Sequence, residues 1–180
     1  MKKIIPLLLT AIIICFINNI NPNTAAASNI SFNGVGIVIG SYHFNNDGSH
    51  AWRTKTSRYN EYNPGLTAFF KINGNPVIDE AGITYISKNS YGVPSIYVSV
   101  YRRLFNAGPV QFDLAAAIAT GYGNKVELAN KLGGLLPIAG ISLIIFRHVE
   151  VDIIPAGYAA GNSAANEIFF SLRFTGLSNY

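Results

Sequence analysis

Three histidines carry most of the capacity for chemistry in this chain, since its single cysteine, Cys15, lies in an apolar N-terminal stretch. His43 and His50 flank the first long polar segment, and His148 lies in a short turn much further along. No pair of them has metal-ligand spacing with carboxylates nearby, so we expect neither a metal nor a cofactor. Catalysis would then fall to histidine, serine or carboxylate groups.

Residues 1–27 have the three parts of an export signal: two lysines, an apolar run and the A-x-A-like sequence at 25–27. A stop-transfer helix is the alternative, but the apolar run is short and is followed by asparagines. Cleavage would leave one domain, residues 28–180, without a cysteine. That suits an exported protein and excludes thiol chemistry and thiolate metal sites.

The composition is poor in charge, with only 12% of residues charged, about half the share of a soluble domain. Without the two leader lysines, eleven basic residues face nine acidic ones and form no basic stripe. The sequence therefore has no basic patch of the kind that nucleic-acid binding requires. So few charges would hardly cover a water-soluble surface, but they suit one that faces lipid.

Short stretches of period-two alternation recur between turn residues and predict eight β-strands. We place them at about 34–44, 58–72, 77–88, 94–104, 110–120, 136–146, 149–155 and 165–175. Short turns alternate with loops: the turns are 73–75, 106–108 and 147–148, the longer loops are 45–57, 121–135 and 156–164, and a shorter loop lies at 89–93. This layout is typical of outer-membrane barrels. The sequence predicts an all-β fold, an eight-stranded antiparallel transmembrane β-barrel of the bacterial outer membrane.

A soluble all-β barrel of the lipocalin kind is the alternative fold. It would place apolar residues inside and polar residues outside. Two of the predicted strands instead carry charged residues on the face opposite their main apolar face, namely Asp113, Glu167 and Arg173. Those side chains are better accommodated in the lumen of a membrane barrel, where eight strands leave room for side chains or one slim ligand.

Four stretches are similar to the lipid A palmitoyltransferase (PagP) family in order, spacing and position on the eight-strand layout. They are Ser41-Tyr42-His43-Phe44 with Arg58-Tyr59-Asn60-Glu61 downstream, Lys88-Asn89-Ser90-Tyr91, Leu135-Leu136-Pro137 and Ile153-Ile154-Pro155. The resemblance spans about 34–175, and the chain resembles a divergent member of the family.

The resemblance implies an enzyme that moves a fatty acyl chain from a phospholipid donor to a lipid A acceptor; we expect it to be monomeric. By the same resemblance, His43 is the base, Ser90 is its hydroxyl partner and Asn89 is the orienting group, all on the extracellular rim. The family has an aspartate at the position of Asn89. An amide can orient an imidazole but cannot offset its positive charge, so Asp47 or Glu61 would have to supply a carboxylate.

Proline donates no ladder hydrogen bond and therefore belongs at edges, bulges or strand starts. The family uses prolines at the positions of Pro137 and Pro155 to let an acyl chain enter sideways from lipid; the alternative is that both simply start and end strands. Tyr97, on the presumed inward face of the fourth strand, would form the floor of the acyl pocket and favour a chain shorter than palmitate.

A non-enzymatic eight-stranded barrel with a structural, adhesive or phage-related role is the alternative function. Asn89 favours this alternative. His43, Ser90 and the two prolines favour the enzyme.

Overall fold

The structure, a computed structural model, describes residues 29–43, 60–123, 126–154 and 167–175. The predictions made for the leader at 1–27, for Asp47 and for Pro155 lie outside these residues. In chain order the elements are β1 (Asn29–His43), β2 (Gly65–Asn73), β3 (Glu80–Ile86), β4 (Ser95–Ala107), β5 (Val110–Ala119), α1 (Glu127–Lys131), β6 (Leu136–Ile145), β7 (Val149–Ile154) and β8 (Glu167–Thr175). Within the described ranges no helix is long and apolar enough to cross a membrane.

The eight strands form a closed antiparallel barrel. Each strand pairs with its neighbours in the sequence, and β1 closes the cylinder by pairing with β8 from Gly34 opposite Thr175 to His43 opposite Glu167. Closure removes the free sheet edges that would otherwise recruit another chain. The prediction of an eight-stranded antiparallel barrel is confirmed.

The two faces of the wall differ sharply in polarity, as the period of two along each strand requires. Buried inward-facing residues include the polar and charged side chains Thr67, Glu80, Thr84, Ser99, Asp113, Ser142, Glu150, Ser171 and Arg173. Exposed outward-facing residues include Val35, Ile37, Leu66, Ile83, Val98, Ile118, Ile141, Phe170 and Leu172. This arrangement is the reverse of the one expected for a soluble barrel.

The second strand is shorter than the predicted 58–72, which is wrong at its start. β2 begins only at Gly65, and residues 60–64 run as an irregular segment. Pro64 cannot donate to a ladder, and the side-chain amides of Asn60 and Asn63 donate to backbone carbonyls. Such local bonds compete with regular strand pairing.

The end of the barrel that carries His43, here the loop end, is filled by an apolar cluster. Its buried members are Val38, Ile86, Tyr97, Ala119, Tyr122, Val126, Ala129, Leu136 and Phe169. Two of them come from the segment around α1, a helix within the stretch that the sequence predicted to be a loop. We call this set the apolar cluster.

Beneath the apolar cluster lies a cavity of about 80 Å³, well above the roughly 10–15 Å³ that a single water molecule needs. Towards the opposite end of the barrel, here the turn end, the lumen is crossed by Arg173. Its guanidinium forms ion pairs with Glu80 and Glu150 and lies 3.9 Å from the ring centroid of Phe69. A buried arginine is therefore held by two carboxylates and one aromatic face.

Candidate active site

His43 and Ser90 are brought together at the loop end of the barrel. His43 is the last residue of β1, and Ser90 lies in the segment between β3 and β4. The Nε2 atom of His43 lies 3.0 Å from the Oγ atom of Ser90, and the two residues are only 3% and 4% exposed. This separation is within the range that proton transfer between a hydroxyl and a base requires.

A β-bulge turns His43 into the barrel. Ile37 and Ile39 face outward and are exposed, and unbroken alternation would place His43 on the same outward face. The pairing of β1 with β8 shifts between Val38 and Gly40, so the side chains beyond the shift change faces. Bulges commonly re-aim a side chain in this way next to functional sites, and here the re-aimed residue is the histidine.

Residues 60–63, which we call the clasp, hold the segment that carries Ser90. The backbone N–H of Asn60 donates to the carbonyl oxygen of Ser90 at 2.8 Å. The side-chain amide of Asn60 donates to the carbonyl oxygens of Tyr62 at 2.6 Å and of Asn89 at 3.2 Å. One asparagine thus holds both peptide groups that flank the α-carbon of Ser90.

Asn63 ties the same segment to β1. It is fully buried, its amide nitrogen donates to the carbonyl oxygen of Lys88 at 3.1 Å, and its amide oxygen accepts from the hydroxyl of Ser41 at 2.6 Å. Because Ser41 lies two residues before His43, Asn63 couples the strand that carries the imidazole to the segment that carries the hydroxyl.

Gly40 permits the clasp to approach β1. A Cβ atom at Gly40 would lie 2.5 Å from the carbonyl oxygen of Glu61, and that same oxygen accepts a 2.9 Å hydrogen bond from the backbone N–H of Ser41. The Glu61 carboxylate lies beside β1, where its Oε1 is 3.4 Å from the backbone nitrogen of His43. Of the two carboxylates considered from the sequence, Glu61 therefore lies at the site.

Asn89 is fully buried, and its side-chain amide forms hydrogen bonds that hold the segment between β3 and β4 in place. Its Oδ1 accepts from the backbone N–H groups of Tyr91 at 2.9 Å and Val93 at 3.2 Å. Its Nδ2 donates to the hydroxyl of Ser95 at 2.8 Å and to the carbonyl oxygen of Gly121 at 3.3 Å. Two donors and two acceptor positions are the full capacity of an amide. The geometry therefore assigns Asn89 to positioning the loop, with no group left over to orient the imidazole.

Tyr97 and Pro137 lie away from the histidine–serine pair. Tyr97 faces the lumen, its hydroxyl hydrogen bonds that of Tyr122, and it lines the cavity from the side of the apolar cluster. Pro137, the second residue of β6, lies opposite Ile118 of β5. The ladder between β6 and β7 runs from Ile141 to Ile145 on the β6 side, so Pro137 lies beyond it.

Sequence reasoning missed three contributors to this site: Ser41, Asn63 and the close approach at Gly40. Ser41 belongs to one of the four motifs and Asn63 lies two residues beyond another, but their hydrogen bond joins distant parts of the chain and follows no period in the sequence. Among the described residues, no group of three or more His, Cys, Asp or Glu side chains is placed to hold a metal ion.

No protein-family model, no curated protein and no solved structure matches this chain.

Proposed function

We propose that this protein is an outer-membrane acyltransferase that transfers a fatty acyl chain from a phospholipid to lipid A. The observation that carries the proposal is the buried 3.0 Å contact between the His43 imidazole and the Ser90 hydroxyl, held at one end of a closed barrel. The motif similarity to the lipid A palmitoyltransferases supports the same activity and supplies the substrate class.

The exterior of the barrel supports a membrane location. A closed barrel satisfies every backbone hydrogen bond internally, which makes it one of the two architectures that can span lipid. The outward residues of the strands are apolar, and exposed aromatic rings lie near both ends: Tyr42 and Tyr85 at the loop end, Phe105 and Phe146 at the turn end. Aromatic girdles flanking an apolar band are typical of outer-membrane barrels.

The histidine–serine pair supports a two-step acyl transfer. His43 Nε2 takes the proton of Ser90, and the Ser90 oxygen attacks the ester carbonyl of the phospholipid. The proton then passes from His43 to the departing lysophospholipid oxygen, leaving an acyl ester on Ser90. A lipid A hydroxyl attacks this ester, its proton goes to His43, and the serine hydroxyl is restored when that proton returns.

The wall near the cavity supports entry of the acyl chain from the side. The cavity is lined by small inward residues of β5 and β6, Ala115, Ala117 and Gly140, and also by the outward-facing Ala116 and Ile141. The inward side chains are small there, so the space extends to the wall between β5 and β6. A long acyl chain exceeds the present cavity and would displace side chains of the apolar cluster.

Mass spectrometry of lipid A tests the proposal. Cells that express the intact protein should gain lipid A species heavier by one acyl chain, and His43→Ala and Ser90→Ala should each abolish the gain. His148→Ala, at the turn end, is the matched control and should retain it. Folding of each variant is checked by heat-modifiable migration in detergent gels. A folded native barrel with no lipid A shift under any growth condition would refute the proposal.

A non-enzymatic barrel remains the second candidate because of one specific observation. The side chain of Asn89 is saturated by its own loop, so the position at which the family has a carboxylate does not serve the imidazole. The same mass-spectrometry experiment decides between the two functions.

A further inference from the structure

The turn end of the barrel opens into a wide polar mouth, at the opposite end from His43 and Ser90. Its volume is about 770 Å³, which falls within the range of small-molecule binding sites. The charged residues that line this mouth are Lys71, Asp79, Arg103 and Arg147, together with Glu80 and Arg173 deeper in the lumen. We call the space the turn-end mouth.

The three rim cations come from three separate elements. Lys71 continues the inward register of Phe69 along β2, and Arg103 continues that of Tyr101 along β4. Arg147 lies in the turn between β6 and β7. All three are exposed, so their charged groups are available to a ligand that enters the mouth.

The carboxylate opposite Lys71 is already engaged. Lys71 pairs with Glu80 in the β2–β3 ladder, but Glu80 forms a buried ion pair with Arg173 and accepts a 2.5 Å hydrogen bond from the amide of Asn33. The buried arginine therefore takes the charge that would otherwise neutralise the lysine.

The carboxylates near Arg103 are also engaged. Arg103 lies opposite Asp113 in the β4–β5 ladder, and both oxygens of Asp113 accept from the amide of Gln111, at 3.0 and 2.8 Å. Asp79 pairs with the side chain of Arg102 at 3.4 Å and accepts from the backbone N–H of Arg103 at 2.7 Å. Over the described residues, no ion pair involves the side chain of Lys71, Arg103 or Arg147.

We propose that the turn-end mouth binds a hydrophilic ligand through two or more phosphate groups. Guanidinium and ammonium groups are the protein donors that match phosphate oxygens. Three positive charges around one opening are more than a single monoanion can neutralise. The low-dielectric walls also strengthen the electric field of these charges inside the mouth. This proposal is independent of acyl transfer, because the two sites occupy opposite ends of the barrel.

Two sources carry this chemistry, a soluble phosphorylated molecule and a phospholipid headgroup. The full barrel, folded in uncharged detergent at low salt, is titrated with tripolyphosphate in one arm. In the other arm the micelles are doped with diphosphatidylglycerol, a lipid with two phosphates. The variant tested carries Lys71→Gln, Arg103→Gln and Arg147→Gln together, and Lys131→Gln, which removes an exposed lysine of α1 at the loop end, is the control.

The triple variant should bind about tenfold or more weakly than the native protein, since it loses three charge-assisted contacts. Lys131→Gln should bind as the native protein does, and added salt should weaken binding to the native protein. If the triple variant binds tripolyphosphate more weakly than the native protein does, the ligand is a soluble phosphorylated molecule. If it binds the lipid-doped micelles more weakly, the ligand is a phospholipid headgroup. Either result supports the proposal. No binding in both arms, or equal binding by the triple variant wherever binding occurs, would overturn it.

Discussion

The side-chain amide of Asn89 donates a 2.8 Å hydrogen bond to the hydroxyl of Ser95, which donates in turn to the carbonyl oxygen of Thr120 at 2.6 Å. These two bonds join the segment that carries Ser90 to the start of β4 and to the residue after β5. The position of the Ser90 hydroxyl therefore depends on an amide that never touches the imidazole.

Replacing Asn89 with aspartate should harm the protein, although it introduces the residue found in the similar family. A carboxylate would point an oxygen at the carbonyl of Gly121, which now accepts from the amide at 3.3 Å. We expect Asn89→Asp to lower the free energy of unfolding by about 1–3 kcal/mol and to reduce acyl transfer. Urea unfolding in lipid vesicles and lipid A mass spectrometry measure the two effects. Increased transfer at unchanged stability would mean that a carboxylate here does serve His43.

Gly40→Ala should separate β1 from the clasp. The added methyl group would meet the carbonyl oxygen of Glu61 at 2.5 Å, and this is backbone that cannot swing aside. We expect a loss of about 1–3 kcal/mol in unfolding free energy and a larger fractional loss of activity. The matched control is Gly123→Ala, where the nearest atom would lie 3.7 Å away. Equal behaviour of the two variants would show that the close approach at Gly40 is unimportant.

Tyr97 should limit the length of the acyl chain that the lumen accepts. Its ring packs at right angles against Tyr122 and at 75° against Phe169 and lines the loop end of the cavity, so its removal would lengthen the space open to a chain. Tyr97→Gly should shift donor preference towards longer chains in a purified, active protein, whereas Tyr97→Phe, which keeps the ring, should not. Chain preference is measured with defined phospholipids. An unchanged preference in Tyr97→Gly would remove Tyr97 from the substrate path.

Arg173→Met should be strongly destabilising, because it strands the buried carboxylates of Glu80 and Glu150 without their cation. Loss of one partner from a buried ion pair costs about 3–5 kcal/mol. Adding Glu80→Gln and Glu150→Gln should restore much of the loss. Arg102→Gln breaks the exposed pair with Asp79 and should cost only about 0–1 kcal/mol. Urea unfolding in vesicles provides the measurement, and equal losses for the two arginines would contradict this account.

The eight strands could be predicted because alternate residues face the barrel exterior and the lumen, and these two faces differ in polarity. In β8, Ile168, Phe170 and Leu172 alternate with side chains that face the interior, and the alternation marks the strand within two residues of its observed start at Glu167. Short turns rich in glycine and asparagine marked most of the remaining boundaries. This period-two signal is local, so a single sequence suffices to find it.

The arrangement of the site could not be predicted in the same way. The inward turn of His43 depends on a bulge at Val38–Gly40, and the clasp depends on side-chain bonds from Asn60 and Asn63 to carbonyls more than twenty residues away. Such contacts follow no period along the chain. The sequence therefore named His43 and Ser90 through resemblance, and only the folded barrel shows what holds them together.

The side chains that fill the lumen also determine how permeable the barrel is. The apolar cluster occupies the lumen at one end and the ion pairs of Arg173 cross it towards the other, so both obstruct a path along the barrel axis. In the membrane location proposed above, a lumen obstructed in this way would conduct few ions.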